Sequence, residues 1–297
     1  MITLPGTLFA ALCGLCFGSF LNVCLSRWPE QESIVQPRSH CRHCTHTLSW
    51  WENIPLLSWL ILRGRCRECR FPIGWRYPLV ESTVGILWAM IVFQFLHSLG
   101  DLFLTEDLPA QGMAGKILGT LGSLLFVWIL TALLFLDAEH LWLPDRLTLG
   151  GIIPGFLVVM GGFLLEHGFS FHQLGFFSLL SVHAALWVVG VLAAGGFIVF
   201  VRWLYLLLRH REGIGLGDAK LMALLAAWLG GPKTILAFVL AVFLGSLVAV
   251  FQLLRPAGEE GRMAVKLPLG SFLCVGGIVS CLWGEPLIRA YMNWAGF

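Results

Sequence analysis

The sequence predicts an all-α polytopic membrane protein of about eight transmembrane helices that carries one small polar insertion. Three observations lead to this fold class. The 297 residues are 58% hydrophobic and only 12% charged, whereas soluble domains are about 25% charged. The apolar residues are gathered in runs of about 20, which is the length that a membrane-spanning helix needs. Residues 26–77 form the single large polar segment.

The apolar runs predict the individual spans in chain order. Residues 1–25 have no positively charged n-region and no small-residue cleavage site, so we interpret them as a retained first helix and not as a signal peptide. The sixth and seventh runs are separated by Gly230-Gly231-Pro232 and could form a helical hairpin. The predicted spans are roughly 4–25, 78–98, 116–136, 148–165, 178–204, 219–231, 234–254 and 267–284.

The basic residues predict the orientation of these spans. Lys and Arg are enriched in the cytoplasmic loops of membrane proteins. With the N-terminus outside, all basic residues except Lys116, Lys233 and Arg289 fall on the inner side. The segments that then face inside, together with their flanks, are 26–77, 137–147, 205–218 and 255–266. The chain is therefore expected to be a multi-pass protein with its N-terminus outside.

Segment 26–77 contains two CxxC pairs, CRHC at 41–44 and CREC at 66–69. Each pair offers two sulfurs on one tight turn, and two such turns complete a tetrahedral four-thiolate zinc site. A segment of about 50 residues has little core of its own, so a metal would stabilise it. The reducing cytoplasmic side disfavours disulfides. The predicted zinc ligands are Cys41, Cys44, Cys66 and Cys69.

Full thiolate ligation leaves no open coordination position, which makes the predicted zinc structural and not catalytic. Two alternatives stay open at this point. The four cysteines could be unpaired or redox-active. A nearby histidine (His40, His43 or His46) could also replace one cysteine as a ligand.

Three aspartates, Asp137, Asp145 and Asp218, fall on the predicted inner side. An acid at membrane depth is costly and marks a functional site by default. Asp145 and Asp218 could instead simply begin helices, where the helix dipole favours an anion. Asp137 ends its apolar run, where the dipole disfavours an anion. Two carboxyls at one boundary can act as general base and general acid, so Asp137 and Asp218 predict aspartyl hydrolysis.

Asp218 lies in the glycine-rich stretch GIGLGDAKL, residues 213–221. A dinucleotide-binding loop would follow a strand, and no strand precedes this stretch. We instead expect Gly215 and Gly217 to let a backbone approach closely and to adopt positive φ angles. Lys220 and Asp145 are candidate supporting residues. Lys220 could lower the pKa of an aspartate, hold a substrate carbonyl or only mark the cytoplasmic side.

Several segments together resemble the bacterial type IV prepilin peptidases, which are GxGD-type membrane aspartyl proteases and leader peptidase/N-methyltransferases. The resemblance covers most of the chain in the order of that family. The segments that carry it are GSFLNVCLSRWP (18–29), the two CxxC pairs, NIPLLSWLILRGRC (53–66), RYPLVE (76–81), LDAEHLWLPDRLT (136–148) and GLGDAKL (215–221).

The resemblance implies function beyond what composition indicates. The substrates would be prepilins or pseudopilins, cleaved after a glycine at the cytoplasmic face of the bacterial inner membrane. The catalytic aspartates of the family map onto Asp137 and Asp218. Many bacterial members also methylate the new N-terminal residue with S-adenosyl-L-methionine. The implied partners are pilin substrates and the lipid bilayer, and no nucleic acid is expected.

The chain departs from the family pattern in a few places. Arg42 stands where proline is common, and Thr45 and Arg70 follow the two CxxC pairs where glycine is usual. LPLGSF (267–272) is a looser version of a proline-phenylalanine-glycine segment. None of these departures touches the predicted aspartate pair.

Two polar residues near the inner ends of spans are candidate methyl-donor contacts. Glu81 lies a few residues into the second span, where it could also pair with Arg76. Asn22 lies near the end of the first span and could instead join a hydrogen bond between helices. The predicted domains are the first helix at 1–25, the zinc-binding segment at 26–77 and the peptidase domain at 78–297.

Two other classes of protein compete with the peptidase. Transporters and channels also carry intramembrane acids and glycine-interrupted helices, but their acids are expected near the midplane and their halves repeat. A zinc-stabilised membrane scaffold would leave the coincidence of Asp137 and Asp218 unexplained.

Overall fold

The computed structural model describes residues 3–103, 110–167, 174–210, 215–254 and 268–296. Within these ranges the regular structure is helical, apart from two isolated β-bridges, and residues 28–49 and 62–75 are mainly turns and irregular chain. Seven helices are long and apolar enough to cross a membrane. The helices are α1 Thr3–Arg27, α2 Leu57–Ile61, α3 Arg76–Phe103, α4 Ala110–His140, α5 Asp145–Thr148, α6 Ile152–His167, α7 Leu174–Arg209, α8 Leu216–Leu254 and α9 Leu269–Ala295.

These helices confirm the predicted all-α membrane fold. Parts of the predicted loops, residues 104–109, 168–173, 211–214 and 255–267, lie outside the described residues. The chain divides into two compact units, Met1–Leu108 and Pro109–Phe297. The division into a zinc-binding segment and a peptidase domain at residue 77 remains a prediction about function.

In the first unit, α1 and α3 pack closely through glycines. A β-carbon added at Gly14 would lie 2.9 Å from the Cα of Gly85, and one at Gly18 would lie 2.7 Å from the Cα of Glu81. Small residues let membrane helices approach to this distance. The crossing buries two polar residues, Asn22 and Glu81.

In the second unit, α8 is too long for a single crossing. Its 39 residues would extend about 58 Å as a straight helix. The chain leaves helical geometry at Gly230, with φ +71° and ψ 177°. We call residues 216–229 α8a and residues 231–254 α8b. The glycine allows this conformation because it has no β-carbon.

The contacts with α9 show that α8a and α8b run in opposite directions. Along α8b, Lys233 lies beside Gly284 and Gly245 lies beside Phe272, so α8b runs antiparallel to α9. Along α8a, Gly217 and Gly270 both lie beside Leu143, and Leu225 lies beside Gly277, so α8a runs parallel to α9. α8a and α8b therefore form the helical hairpin that the sequence suggested, within one of the seven apolar helices.

Candidate active site

Asp137 lies in the last turn of α4 and is buried, with 5% of its surface exposed. Its Oδ2 accepts two hydrogen bonds from Ser271, one from the backbone N–H at 2.6 Å and one from the hydroxyl at 2.9 Å. Ser271 is the third residue of α9, whose first-turn N–H groups have no partner within the helix. The positive end of α9 thus offsets the unfavourable placement of Asp137 at the end of α4.

Asp218 is the third residue of α8 and is also buried. Its Oδ2 accepts a hydrogen bond from the backbone N–H of Gly215 at 3.3 Å. Asp218 and Asp137 are close enough to interact electrostatically. The structure therefore brings together the two aspartates that the sequence predicted as a pair, Asp218 in the first turn of α8 and Asp137 against the first turn of α9.

The glycines near this pair leave room for neighbouring side chains because they have no β-carbon, and they do not adopt a backbone conformation that requires glycine. Gly215 and Gly217 do not have positive φ angles, so that part of the prediction is wrong. Gly213, the first glycine of the stretch, lies outside the described residues. A β-carbon at Gly217 would lie 3.1 Å from Cδ1 of Leu143. The group that approaches Gly217 is therefore a side chain and not a backbone.

The same leucine contacts a second glycine beside Asp137. A β-carbon at Gly270 would lie 3.1 Å from Cδ1 of Leu143 and 2.8 Å from Oδ2 of Asp137. Leu143, in the short loop between α4 and α5, thus packs against the start of α8 and the start of α9. It fixes the spacing of the two elements on which Asp218 and Ser271 lie.

Lys220 forms an ion pair with Asp145. Its Nζ lies 2.5 Å from Oδ1 of Asp145, and the two side chains are 34% and 60% exposed. This contact joins α8 to α5, the helix that follows the Leu143 loop. Exposed ion pairs contribute about 1 kcal/mol or less. Both predicted supporting residues therefore lie near the aspartates and contact each other.

Three residues around the aspartates were not predicted from the sequence as site residues: Ser271, Gly270 and Leu143. The first two lie within LPLGSF, which resembles the corresponding family segment only loosely. A serine in the first turn of a predicted span, on the same side as the aspartates, was the available signal. Leu143 gave no signal, because an apolar residue beside a span looks like part of the membrane segment.

The four predicted zinc ligands cluster in the first unit. Their sulfur atoms all lie within 4.8 Å of one another. Cys41 and Cys69 are 3.9 Å apart, as are Cys44 and Cys66. Four sulfurs placed tetrahedrally around zinc at about 2.3 Å would be separated by roughly 3.8 Å. The donor set and its dimensions therefore fit a structural zinc ion.

The two CxxC turns have the same local geometry. The N–H of Thr45 donates to the carbonyl of Cys41, and the N–H of Arg70 donates to the carbonyl of Cys66. Thr45 and Arg70 both adopt φ +59°, a left-handed conformation that favours glycine. The two departures from the family pattern thus occupy the positions where glycine would be unstrained.

The ionisation of the thiols also favours a cation at this position. Burial raises the pKa of Cys41, but the amides of Cys44 and His43 and the neighbouring thiols outweigh it and lower the pKa to about 7. The amide of Phe71 lowers the pKa of Cys69, but burial and the three other cysteines raise it to about 12. Four thiolates this close together need a positive ion between them.

The nearby histidines have other contacts. The ring of His43 stacks on Phe71 with centroids 4.6 Å apart, and Nε2 of His46 lies 3.3 Å from Oε2 of Glu52. The same Glu52 oxygen accepts the N–H of Ser49 at 2.8 Å. Burial raises the pKa of Glu52, but these hydrogen bonds hold it below its usual range.

Glu81 and Asn22, the candidate methyl-donor contacts, lie together at the crossing of α1 and α3. Oε2 of Glu81 accepts the backbone N–H of Leu56 at 2.8 Å. Nδ2 of Asn22 donates to the carbonyl of Tyr77 at 3.0 Å. Among the described residues, buried Oδ1 of Asn22 has no hydrogen-bond partner. The structure thus brings the two residues together, and their role remains a proposal.

Comparison with known protein families agrees with this arrangement. The profile of the Bacterial Peptidase A24 N-terminal domain matches residues 12–95. The profile of the Type IV leader peptidase family matches residues 124–250. The chain belongs to the type IV leader peptidase family. The first match contains the cysteine cluster, and the second contains Asp137 and Asp218 but ends before Ser271.

Curated relatives in this family match over nearly the whole chain. A prepilin leader peptidase/N-methyltransferase of Aeromonas hydrophila is 34% identical over 95% of this chain and 92% of the relative. Proteins of the same name from Stutzerimonas stutzeri and Pseudomonas aeruginosa are 33% and 32% identical, over 97% and 96% of this chain and 94% and 93% of theirs. No solved structure matches the chain.

Proposed function

We propose that this protein cleaves the leader peptide from type IV prepilins or pseudopilins and then N-methylates the new N-terminal residue. The relatives' names support the substrate and both activities. The observation that carries the proposal is the pair of buried carboxyls at one end of the second unit. Asp137 and Asp218 interact electrostatically and lie at the ends of α4 and α8, as an aspartyl protease site requires.

The hydrogen bonds suggest how the two aspartates divide the reaction. Two donors on Oδ2 of Asp137 stabilise its anion, so Asp137 acts as the general base. It takes a proton from water as the water oxygen attacks the scissile carbonyl. Asp218, whose Oδ2 accepts one amide hydrogen bond, donates its proton to the carbonyl oxygen. When the tetrahedral intermediate collapses, Asp218 takes back the hydroxyl proton as the C=O bond re-forms, and the leaving amine takes the proton that Asp137 holds.

The position of the acids argues against a transporter or channel. Asp137 is three residues from the end of α4, and Asp218 is the third residue of α8. Acids that line a transport path are expected nearer the midplane, where substrate and ion sites lie. A peptidase acting on a segment next to a membrane helix needs its acids at the membrane edge. The distribution of basic residues supports our proposal that this edge is the cytoplasmic side of a bacterial inner membrane, with the N-terminus outside.

The cysteine cluster would hold a structural zinc ion through Cys41, Cys44, Cys66 and Cys69. S-adenosyl-L-methionine would supply the methyl group to the amine that cleavage exposes. Glu81 and Asn22 are the proposed contacts for the methyl donor or the substrate amine. A buried carboxylate beside an amide is chemically suited to bind either positively charged group.

The proposed function is tested by incubating the protein in membranes with a prepilin and S-adenosyl-L-methionine. Mass spectrometry of the new N-terminus then reports cleavage and methylation together. We expect a shortened pilin that carries one additional methyl group, and cleavage alone when the methyl donor is omitted. An intact prepilin, incubated with properly inserted protein, would contradict the proposal.

A second experiment separates the two activities. Replacing all four cluster cysteines by serine removes the proposed zinc site. We expect this variant to lose methylation more completely than cleavage, because the aspartates lie in the other compact unit. Full methylation by a zinc-free variant would show that the cluster does not support this activity.

A further inference from the structure

One face of α2, within the cysteine-bearing segment, is apolar and exposed. Leu57, Leu60 and Ile61 are 56%, 64% and 63% exposed. Their spacing of three and four residues places them on one side of the helix. Ser58 and Trp59, between them, are half-buried. We call the three exposed residues the α2 face. An apolar patch on an otherwise polar segment marks an interface.

The start of α2 lies level with the first turns of the spanning helix α3. The N–H of Leu56 donates to Oε2 of Glu81 at 2.8 Å. Glu81 follows Arg76, the first residue of α3, by five residues, or about 7.5 Å along the helix axis. The 25 residues of the Arg76–Gly100 span extend about 37 Å, against a hydrocarbon core of about 30 Å. With the excess of about 7 Å shared between the two ends, Glu81, and with it Leu56, lies within about 4 Å of the edge of the hydrocarbon core.

The backbone at Leu56 indicates that this position is held firmly. Leu56 adopts φ +58°, which is unfavourable for a leucine and persists only where its surroundings impose it. The contact that this conformation permits is the hydrogen bond to Glu81. The start of α2 is thus fixed at the level of the membrane surface.

A second contact holds the other side of α2 at the same level. Nε1 of Trp59 donates to the carbonyl of Ile73 at 3.2 Å, and its ring packs on Trp75 with centroids 4.3 Å apart. Trp75 is 75% exposed and immediately precedes α3. Tryptophan is enriched at the boundary between membrane and water. The α2 face and Trp75 therefore lie near one plane.

The residues that follow α2 are strongly basic. Between Leu62 and Trp75 the chain has four arginines and one acid, Glu68. An apolar helical face flanked by basic residues is typical of a segment that lies in the membrane interface. Basic clusters at this position attract anionic lipid headgroups. The arginines are Arg63, Arg65, Arg67 and Arg70.

We propose that α2 is an interfacial anchor. The α2 face inserts at the boundary between headgroups and acyl chains, in the leaflet where α3 begins, and the following arginines bind anionic phospholipid. The zinc-binding segment is then attached to the bilayer at α2 as well as through α1 and α3. This inference concerns lipid contact, so it does not depend on the proposed peptidase activity.

Photocrosslinking of the full chain in lipid nanodiscs tests the anchor. A photoreactive benzoylphenylalanine replaces Leu60 or Ile61 on the α2 face. Ser58, on the other side of α2, provides the control. Such a probe reacts only with groups in direct contact, so phospholipid adducts at the two face positions should exceed those at Ser58 by about tenfold. An unfolding temperature close to that of the unmodified protein confirms that each variant is folded.

The same experiment separates lipid from protein partners. Equal lipid adducts at Ser58, Leu60 and Ile61, or adducts at Leu60 to a second chain or to a prepilin, would overturn the anchor. In nanodiscs of equal parts phosphatidylglycerol and phosphatidylcholine, adducts at Leu60 should favour phosphatidylglycerol. Adducts in proportion to the two lipids would contradict the role of the arginines.

Discussion

Replacing Gly270 by alanine places one methyl group against the proposed general base. The β-carbon would lie 2.8 Å from Oδ2 and 2.9 Å from Cγ of Asp137, and 3.1 Å from Cδ1 of Leu143. Asp137 would have to yield by roughly half an ångström to reach ordinary contact. Its two hydrogen bonds to Ser271 would lengthen or break, since Ser271 is the next residue in the chain.

The size of the effect follows from the precision that catalysis needs. Reacting groups must be held within about 0.5 Å of the productive geometry, and a misplacement of 1 Å can cost about 10²-fold. We therefore expect Gly270→Ala to slow prepilin cleavage by about 10- to 10²-fold. Initial rates in membranes, measured by the mobility shift of the pilin and normalised to the amount of inserted protein, provide the assay.

Gly196 in α7 supplies the matched control. A β-carbon there meets no atom of the described chain within 4 Å. Gly196→Ala should therefore leave the cleavage rate unchanged and slightly favour the helix. The reasoning would be refuted if Gly270→Ala cleaved within twofold of the unmodified protein, or if Gly196→Ala lost as much activity.

Three further predictions follow from the same contacts. Gly217→Ala should slow cleavage less than Gly270→Ala, because the added β-carbon meets Leu143 at 3.1 Å (Cδ1) and 3.3 Å (Cβ) and not the catalytic carboxyl; adding Leu143→Ala removes the Cδ1 contact and should restore part of the rate, and a double variant slower than both single variants would exclude this packing. Ser271→Ala removes one of two hydrogen bonds to Asp137, worth about 1 kcal/mol, so kcat should fall roughly fivefold; an unchanged kcat would mean that the hydroxyl does not orient the carboxylate. Hydrogen bonds hold the pKa of Glu52 below its usual range, so this carboxylate stabilises the fold above its unfolded pKa of about 4.3 and the stabilisation is lost as the pH falls through the folded pKa. Glu52→Gln should therefore lower the unfolding temperature at pH 7 more than at pH 4, and an equal loss at both would contradict the assignment.

Much of the architecture could be predicted because hydrophobicity and chain punctuation determine it. Runs of apolar residues locate spanning helices since lipid demands internal backbone hydrogen bonds. Gly230-Gly231-Pro232 marked the turn between α8a and α8b, because the chain needs a positive φ there and glycine provides it. The cysteine cluster could also be predicted from the sequence, since two CxxC pairs at this spacing are typical of a zinc site.

The residues that surround the aspartates were harder to predict from the sequence. Ser271 binds Asp137 partly through its backbone N–H, and a backbone donor has no signature in side-chain types. The clearance at Gly217 depends on Leu143 from a different part of the chain. Spacing predicted that Asp137 and Asp218 share a membrane boundary, and tertiary packing decided which groups hold them there.

The position of α2 relative to the membrane surface also could not be predicted from the sequence. Five residues that read LSWLI predict neither a stable helix nor a span, since isolated short helices are marginal. The hydrogen bond from Leu56 to Glu81 and the packing of Trp59 on Trp75 show that this segment lies beside the start of α3. A long-range contact of this kind places a polar insertion at the membrane surface.

The most direct test of the proposed mechanism replaces each aspartate by the isosteric asparagine and measures cleavage and methylation separately. We expect Asp137→Asn and Asp218→Asn, inserted at normal levels, each to abolish cleavage of a full prepilin. Both variants should still methylate a pilin supplied with its leader already removed, because the proposed methyl-donor contacts lie in the other compact unit. A variant that retained cleavage near the unmodified rate would contradict the assignment of Asp137 and Asp218 as the catalytic pair.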